Sequence, residues 1–368
     1  PEGYYIVDKH DVPGANRMRT VVSDHPLFAE DDVQYIGQPI LLVVGPDREM
    51  VYSLAENIKI EYKEEPALFT LEEAEERSTV FTDYHYKKED PEKAFETAHR
   101  IIEDTFSTGY QEHVYLEPQG VAAEFKDDTL FVYGSMQCPF YVKNALLEAM
   151  ALPEDKIRVV QSVTGGAFGG KEEFPSLNGC HVAIAANKIK QPVMLIYDRD
   201  EDIICSTKRH PSKVRFKAAL DKNDHLVALD IDVLLNAGAY NGLSPVVLQR
   251  AIFSATNVYN IRNLNVRGRN FMTNLVPSGA YRGFGAPQTL FGIEMLFHNI
   301  AVELGLDPLE YKMRHLLKQN DPTCTGGQVH EEVKMPEIIQ KIIKSSDYYN
   351  KLKTNSKYHG IGISLFLH

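Results

Sequence analysis

Residues 164–172 have the composition of a ligand-binding loop. They read Thr-Gly-Gly-Ala-Phe-Gly-Gly-Lys-Glu, with four glycines, one aromatic residue and a terminal carboxylate. Glycine permits backbone conformations that other residues avoid and lets a ligand approach the main chain. An apolar strand is predicted over 157–163 and a helix after Pro175. The loop would then join a strand to a helix, which is a frequent ligand site in mixed α/β proteins.

A second loop, residues 277–287, repeats this arrangement. It places Phe284 between glycines and adds the cation Arg282. Either loop alone could equally be a tight structural turn. Because Arg282 and Glu172 accompany the paired loops, we interpret them as two walls of one ligand site.

Three polar side chains are candidates for contact with a ligand. Gln137 lies between a predicted strand end and a predicted helix start, and its amide can donate and accept hydrogen bonds, although a turn cap is the simpler interpretation. Glu172 could accept from a ring N–H or donate if protonated, or could simply be solvated. Arg250 lies in an apolar run, where an arginine needs an acidic partner or a ligand carbonyl, and a structural ion pair would satisfy it.

Other polar clusters have simpler interpretations. Residues 111–113, Gln-Glu-His, with Glu117 contain only one histidine and are interpreted as a polar strand edge that supports the pocket. Residues 208–210, Lys-Arg-His, are interpreted as a solvated face. The cysteines show no zinc or iron–sulfur spacing and are expected to be buried free thiols in a reducing cytoplasm: Cys138, Cys180, Cys205 and Cys324.

Composition excludes several classes of function. The net charge is −12 over 368 residues and there is no long basic run, which argues against a nucleic-acid partner and an anionic membrane surface. No stretch reaches the apolar length needed to span a bilayer. With 43% hydrophobic residues the chain can bury at least two cores. It starts at Pro1 without a Met, so we expect the natural N-terminus to lie upstream.

Hydrophobic periodicity divides the chain into segments. Residues 1–66 predict a small α/β unit with strands at 40–44 and 58–62 and a helix at 48–57. Residues 67–100 are charged and are interpreted as a linker with one short helix at 71–77. The next segment predicts strands at 101–108, 120–125, 129–134, 157–162, 193–197, 214–220 and 226–236, and helices at 139–149, 177–187 and 287–304. Residues 360–368 predict a strand that continues past His368.

Taken in order, these motifs resemble the molybdenum hydroxylases, the family of xanthine dehydrogenase and aldehyde oxidase. The matching residues are Gly37-Gln38-Pro39, Gln111-Glu112-His113, Glu117-Pro118, Gln137, 164–172, Arg250 and 280–285. The resemblance implies an α+β fold: a truncated hammerhead domain at 1–66, a linker at 67–100, a first molybdopterin-binding domain at 101–308 and the incomplete start of a second at 309–368.

The resemblance also assigns roles to individual residues. Members of the family insert oxygen from water at an electron-poor carbon, with hydride transfer to a molybdenum centre held by the dithiolene of molybdopterin. The cofactor-binding residues would be Gln137, Gly166, Phe168, Gly169 and Arg282. Gln137, Phe168 and Arg282 would lie near the metal without ligating it. The substrate residues would be Glu172, Arg250 and Phe284, and the first two favour a purine such as hypoxanthine or xanthine.

Further expectations concern what the chain works with. The family's catalytic base, a glutamate, belongs to a part beyond His368, so this chain alone is expected to be inactive. The cofactor would be molybdopterin or its cytosine dinucleotide form, with FAD and [2Fe-2S] clusters on partner chains or domains. A cytoplasmic dimer of heteromers is expected. Two alternatives remain open: a hydroxylase of nicotinate, another N-heterocycle or an aldehyde, and a non-catalytic cofactor-binding scaffold. The terminal molybdenum ligand and the electron acceptor are left undecided.

Overall fold

The computed structural model describes residues 1–354 and 357–367. Within those ranges the chain forms three β-sheets with helices packed on them, around two large apolar cores. The expected α+β class is confirmed, because most strand pairs are antiparallel and the helices cover the sheets.

The first segment contributes one pair of short antiparallel strands and one helix. Strand β1 (Tyr5–Asp8) pairs antiparallel with β2 (Leu41–Val44), and α1 (Arg48–Glu56) follows. The predicted strand at 58–62 is wrong: these residues pair with no strand and are largely exposed. Without a neighbouring strand to satisfy its backbone groups, an alternating sequence does not become a strand.

The largest sheet has five strands in the order β3-β11-β10-β9-β4. Only β10 and β11 run parallel. The strands are β3 (Val80–Lys88), β4 (Arg100–Thr108), β9 (Ser212–Leu220), β10 (Leu226–Gly238) and β11 (Asn263–Met272). The helices packed into its main core are α7 (Ser244–Phe253), α8 (Ala286–Glu303) and α9 (Pro308–Arg314).

The interpretation of 67–100 as a linker misses most of its structure. The short helix is present as α2 (Leu71–Glu76), but strand β3 and helix α3 (Pro91–Glu96) follow it. Strand β3 is an edge of the five-stranded sheet and pairs along its length with β11. Helix α2 packs Leu71 and Ala74 against Leu234 and Phe271 on that sheet. The division into domains otherwise stays a prediction.

The third sheet carries the site. It has four strands in the order β7-β6-β5-β8, and β6 and β7 run parallel. They are β5 (Gly120–Lys126), β6 (Thr129–Gly134), β7 (Ile157–Gln161) and β8 (Val193–Ile196). Helices α4 (Pro139–Met150) and α5 (Phe174–Ile189) pack on this sheet, and α6 (Arg199–Cys205) follows it. Val7, Leu27 and Phe28 of the first segment join the same core.

The remaining helices are α10 (Met335–Ser346) and α11 (Tyr348–Leu352). The predicted strand at 360–368 is wrong for its described part, 360–367, and His368 lies outside the described residues. Hydrogen bonds from Leu365 N to Glu294 Oε2 (3.0 Å) and from Lys312 Nζ to Ile363 O (3.2 Å) hold this segment instead.

Two further points concern membranes and thiols. In the described ranges no single helix is long and apolar enough to cross a bilayer, and α8 with α9 reaches that length only as a pair bent by 114°. All four cysteines are free thiols. Cys180 is buried as expected, whereas Cys138, Cys205 and Cys324 are only half-buried.

Candidate functional site

The first glycine loop, residues 164–172, connects β7 to α5 as the sequence predicts. Gly169 has a φ of 107°, and a Cβ there would lie 2.5 Å from Ala280 O. Such a distance is a steric clash, so only glycine fits. Gly166 also has a positive φ and lies against Tyr115.

The second glycine loop, residues 277–287, lies directly against the first. Arg282 N donates a hydrogen bond to Phe168 O at 2.8 Å. Gly285 packs so tightly on α7 that a Cβ would lie 2.2 Å from Val247 O. The structure therefore brings the two predicted loops together, and it anchors the second of them on α7.

Each loop holds its phenylalanine in the left-handed region of the backbone. The φ of Phe168 is 55° and that of Phe284 is 49°, an uncommon conformation for an aromatic residue. Phe168 is 47% exposed, whereas Phe284 is half-buried against the core of the five-stranded sheet. Strain of this kind persists only where surrounding contacts impose it, and it concentrates at functional sites.

Gln137 lies where β6 ends and α4 begins, as expected. Its Oε1 accepts a hydrogen bond from Gly169 N at 2.9 Å, and its backbone N donates to Lys171 O at 2.7 Å. The side chain is exposed, and within the described residues Nε2 has no hydrogen-bond partner. Gln137 thus holds the first glycine loop through Oε1 of its amide, and the Nε2 donor of the same amide stays exposed.

A buried lysine, which the sequence analysis did not single out, fixes the other side of the first glycine loop. Lys171 is fully buried, and its Nζ lies 2.8 Å from Glu117 Oε2 and 3.1 Å from Ser135 Oγ. Glu117 Oε2 also accepts from Gly165 N at 2.7 Å. The ammonium lies 4.8 Å from the centre of the Tyr115 ring. One carboxylate therefore joins the loop backbone to a buried cation.

Buried polar residues support the second glycine loop. His113 Nε2 lies 2.9 Å from Ala280 O, and the His113 ring stacks on Tyr281 with centroids 4.4 Å apart. The Arg209 guanidinium lies 3.8 Å from the centre of the Tyr281 ring, and its Nη2 donates to Arg282 O at 3.0 Å. Burial lowers the pKa of His113, so its imidazole is held neutral.

These contacts correct two interpretations. Residues 208–210 are not a solvated face, because all three are buried. Residues 111–113 are not a strand edge, because β4 ends at Thr108 and the segment after it lies in a loop, although this loop does support the site. The sequence shows these residues as polar clusters but not their burial, since the partners of 111–113 and 208–210 lie far away along the chain.

Two consecutive carboxyl groups end the first glycine loop. Glu172 is half-buried, and burial raises its pKa. Glu173 is fully buried, and burial together with the charge of Glu172 raises its pKa to about 8. Burial and these carboxyl groups also raise the pKa of the neighbouring Cys138 thiol to about 11. Burial is therefore the main cause of the raised pKa of each of these groups.

Two arginines face solvent near the loops. Arg250 lies in the last turn of α7, one turn after Val247, and Arg282 lies in the second glycine loop; both are exposed. Within the described residues neither guanidinium forms an ion pair, so the structural ion pair considered for Arg250 is not found. Both cations remain available to a ligand.

The two bonded loops and the elements next to them carry five candidate groups. These are an exposed amide, an exposed aromatic ring, a half-buried carboxyl group and two exposed guanidinium groups, from Gln137, Phe168, Glu172, Arg250 and Arg282. No group of three or more His, Cys, Asp or Glu side chains that could hold a metal ion occurs among the described residues. The amide and guanidinium donors suit a ligand rich in oxygen acceptors, and the exposed ring suits an aromatic ligand.

Comparison with known proteins defines the class. Residues 71–316 match the family model of the molybdopterin cofactor-binding domain. The chain is 34% identical to xanthine dehydrogenase of Blastobotrys adeninivorans over 93% of its length, covering 25% of that protein. It is 32% identical to the nicotinate dehydrogenase large molybdopterin subunit of Eubacterium barkeri over 91% of its length, covering 81% of that subunit.

A solved structure agrees with this class. The fold matches aldehyde oxidoreductase of Desulfovibrio gigas with a TM-score of 0.89 and 26% identity, covering 97% of this chain and 42% of that one. The chain belongs to the molybdenum hydroxylases, the xanthine dehydrogenase-like family of molybdenum-dependent oxidoreductases. It spans about a quarter of the xanthine dehydrogenase that it matches and most of the nicotinate dehydrogenase subunit.

Proposed function

We propose that this chain forms part of the molybdenum subunit of a hydroxylase that inserts water-derived oxygen into a purine such as hypoxanthine or xanthine. The observation that supports a purine is the pair Glu172 and Arg250. Glu172 is half-buried at the end of the first glycine loop, and Arg250 lies on the helix that anchors the second. In the part of the chain that the structure describes, neither side chain forms a hydrogen bond or an ion pair.

The residues present fit molybdopterin. When bound, the group supplies a molybdenum centre that delivers oxygen derived from water and accepts hydride. Gln137 Nε2 and the exposed Phe168 would line this group, and Arg282 beside them would offset negative charge. The glycines let the two loops pack closely on the protein, since a Cβ at Gly169 would clash with Ala280 O and one at Gly285 with Val247 O.

The substrate residues have complementary chemistry. A carboxyl group whose pKa burial has raised can donate to, or accept from, purine ring nitrogens and their N–H groups. A guanidinium can stabilise negative charge that develops on a purine oxygen. Phe284, half-buried at the edge of the second glycine loop, would pack on the ring.

Substitution of this pair in the complete enzyme tests the proposal. We expect Glu172→Val and Arg250→Tyr each to lower kcat/KM for xanthine by about 100-fold or more, since both remove groups that act on developing charge. Arg262→Tyr is the matched control, because Arg262 is a strongly exposed arginine whose carboxylate contact to Glu89 is 4.0 Å long. Unchanged xanthine turnover in both site variants would overturn the assignment of this pair to the substrate, and no xanthine turnover by the unmodified enzyme would overturn the purine assignment.

A nicotinate or related N-heterocycle is the second candidate substrate. The favouring observation is that the chain covers 81% of the nicotinate dehydrogenase large molybdopterin subunit. Direct comparison of nicotinate, hypoxanthine and xanthine as substrates of the purified enzyme separates the two candidates. Turnover of nicotinate alone would overturn the purine assignment and retain the hydroxylase.

Further partners follow from the same proposal. Electrons would pass to [2Fe-2S] and FAD groups on partner chains or domains, within a cytoplasmic dimer of heteromers that also contains the remaining molybdopterin-binding part. Metal analysis of the natively purified complex tests this against the non-catalytic scaffold. About one molybdenum per chain supports the enzyme, and a correctly assembled complex without molybdenum supports the scaffold.

A further inference from the structure

Glu173 is a buried acid that neither the fold alone nor the proposed chemistry explains. It follows Glu172 directly, precedes the first residue of α5 and is 3% exposed. Asp and Glu are rarely buried without a partner, because transfer of the charged form out of water is costly. The position of this side chain therefore calls for a specific role.

The Glu173 carboxyl group lies between the two glycine loops. Its Oε1 accepts a hydrogen bond from Ala280 N at 3.1 Å. A Cβ added to Gly279 would lie 1.7 Å from Glu173 Oε1 and 2.8 Å from Thr207 Cβ. Gly279 N in turn donates to Lys208 O at 3.0 Å. The start of the second glycine loop is thus confined between this acid and the 207–208 backbone.

The groups around Glu173 favour a neutral carboxyl. Its Oε2 is buried without a hydrogen-bond partner in the described part of the chain, and so is Thr207 Oγ1. The titratable groups that face it are Glu172, Cys138 and Tyr141, none of which is a cation. The nearby Lys208 ammonium is directed to Ser206 and Glu112 instead. Burial and Glu172 hold the pKa of Glu173 at about 8.

We propose that Glu173 is a positioning residue for the reaction: its carboxyl group ties the second glycine loop to the first and so places Glu172 in the site. The inference rests on the proposed function. It differs from a substrate contact, because Glu173 acts only through the loops on either side of it.

Two variants of the complete enzyme separate this role from simple packing. Glu173→Gln keeps an oxygen that accepts from Ala280 N, so we expect kcat/KM within about 3-fold of wild type at pH 7. Glu173→Ala removes the tie, and we expect kcat/KM to fall by about 10–100-fold while the molybdenum content stays unchanged. A loss of this size is typical when reacting groups are displaced by about 1 Å. Full activity of Glu173→Ala, or equal losses in both variants, would overturn the inference.

The pH dependence supplies a readout that packing alone does not move. As pH rises through about 8, Glu173 ionises in a site without a cation. The carboxylate still accepts from Ala280 N, but its charge repels that of Glu172, so wild-type activity should fall relative to Glu173→Gln above that pH. A constant ratio would contradict the placement of Glu172 by Glu173. Glu173→Gln is also the variant to rely on if Glu173→Ala does not fold.

A spectroscopic readout does not require turnover. The infrared difference between wild type and Glu173→Gln should contain a protonated carboxyl band at pH 6 that disappears near the pKa of about 8. If the band is missing at pH 6, the Glu173 carboxyl group is not protonated there, and the pH dependence predicted above is wrong. Because this measurement needs no molybdenum, it tests the protonation state of Glu173 even if metal analysis refutes the proposed function.

Discussion

At the scale of single residues, polar side chains that bond to the backbone hold both glycine loops in place. Gln137 accepts from Gly169 N, Glu117 from Gly165 N and Glu173 from Ala280 N, and His113 bonds to Ala280 O. Loops rich in glycine have few side chains of their own to hold them. Neighbouring side chains must therefore supply both position and rigidity.

The Lys171–Glu117 pair predicts an asymmetric response to mutation. Glu117→Ala leaves the fully buried ammonium of Lys171 with Ser135 Oγ as its remaining hydrogen-bond acceptor, so we expect a loss of about 3–5 kcal/mol in the free energy of unfolding. Lys171→Met leaves Glu117, whose side chain is 42% exposed and can be hydrated, and should cost less. Urea denaturation measures both, and a larger loss for Lys171→Met would contradict this account.

At the scale of elements, the site depends on where strands and helices end. The first glycine loop leaves β7, which runs parallel to β6, and Gln137 follows the end of β6. The carboxyl ends of neighbouring parallel strands meet at one edge of a sheet, so the two segments necessarily lie close together. The second glycine loop leads into α8 and rests on α7.

Helix α2 provides a test of how far the five-stranded unit extends. Ala74 is fully buried against Leu234 and Phe271, so Ala74→Asp places an unpaired carboxylate in an apolar contact. We expect a loss of about 3 kcal/mol in the free energy of unfolding. Glu76→Gln on the exposed side of α2 is the control and should change it by less than about 0.5 kcal/mol. Equal, small effects would place residues 67–100 outside the folded unit.

The elements around the first glycine loop could be predicted from the sequence, whereas several others could not. Strands β5 and β6 and helix α4 have clear periodicity and turn residues between them. Strand β11 reads Asn-Leu-Asn-Val-Arg-Gly-Arg-Asn-Phe-Met, and its arginines look solvated until Asp83 and Asp232 pair with them across the sheet. Helix α7 has no side-chain cap at its first turn and was not predicted.

The candidate site, like the fold, could be predicted only in part from the sequence. Gln137, Phe168 and Arg282 could be proposed from local motifs and their order along the chain. The buried supports Lys171, Glu173 and Arg209 could not, because the groups that neutralise or bond them come from distant segments. A charged residue is expected at the surface unless its partners are known.

At the scale of the whole molecule, the chain spans about a quarter of the xanthine dehydrogenase that it matches. We expect the purified chain, mixed with molybdopterin and hypoxanthine, to form no xanthine or urate, because the family resemblance assigns the role of catalytic base to no residue of 1–368. Liquid chromatography of the products measures this. Steady formation of either product, absent from a sample without chain, would contradict it.

The hydrogen bond between Phe168 O and Arg282 N has a consequence for the evolution of specificity. It couples two segments separated by more than a hundred positions, so a substitution that shifts one loop also shifts the groups on the other. Relatives that accept substrates of a different shape would then differ in both loops together. A laboratory search that varies one loop alone would mostly recover variants with impaired geometry, and a joint library of both loops would be the more productive route to new substrates.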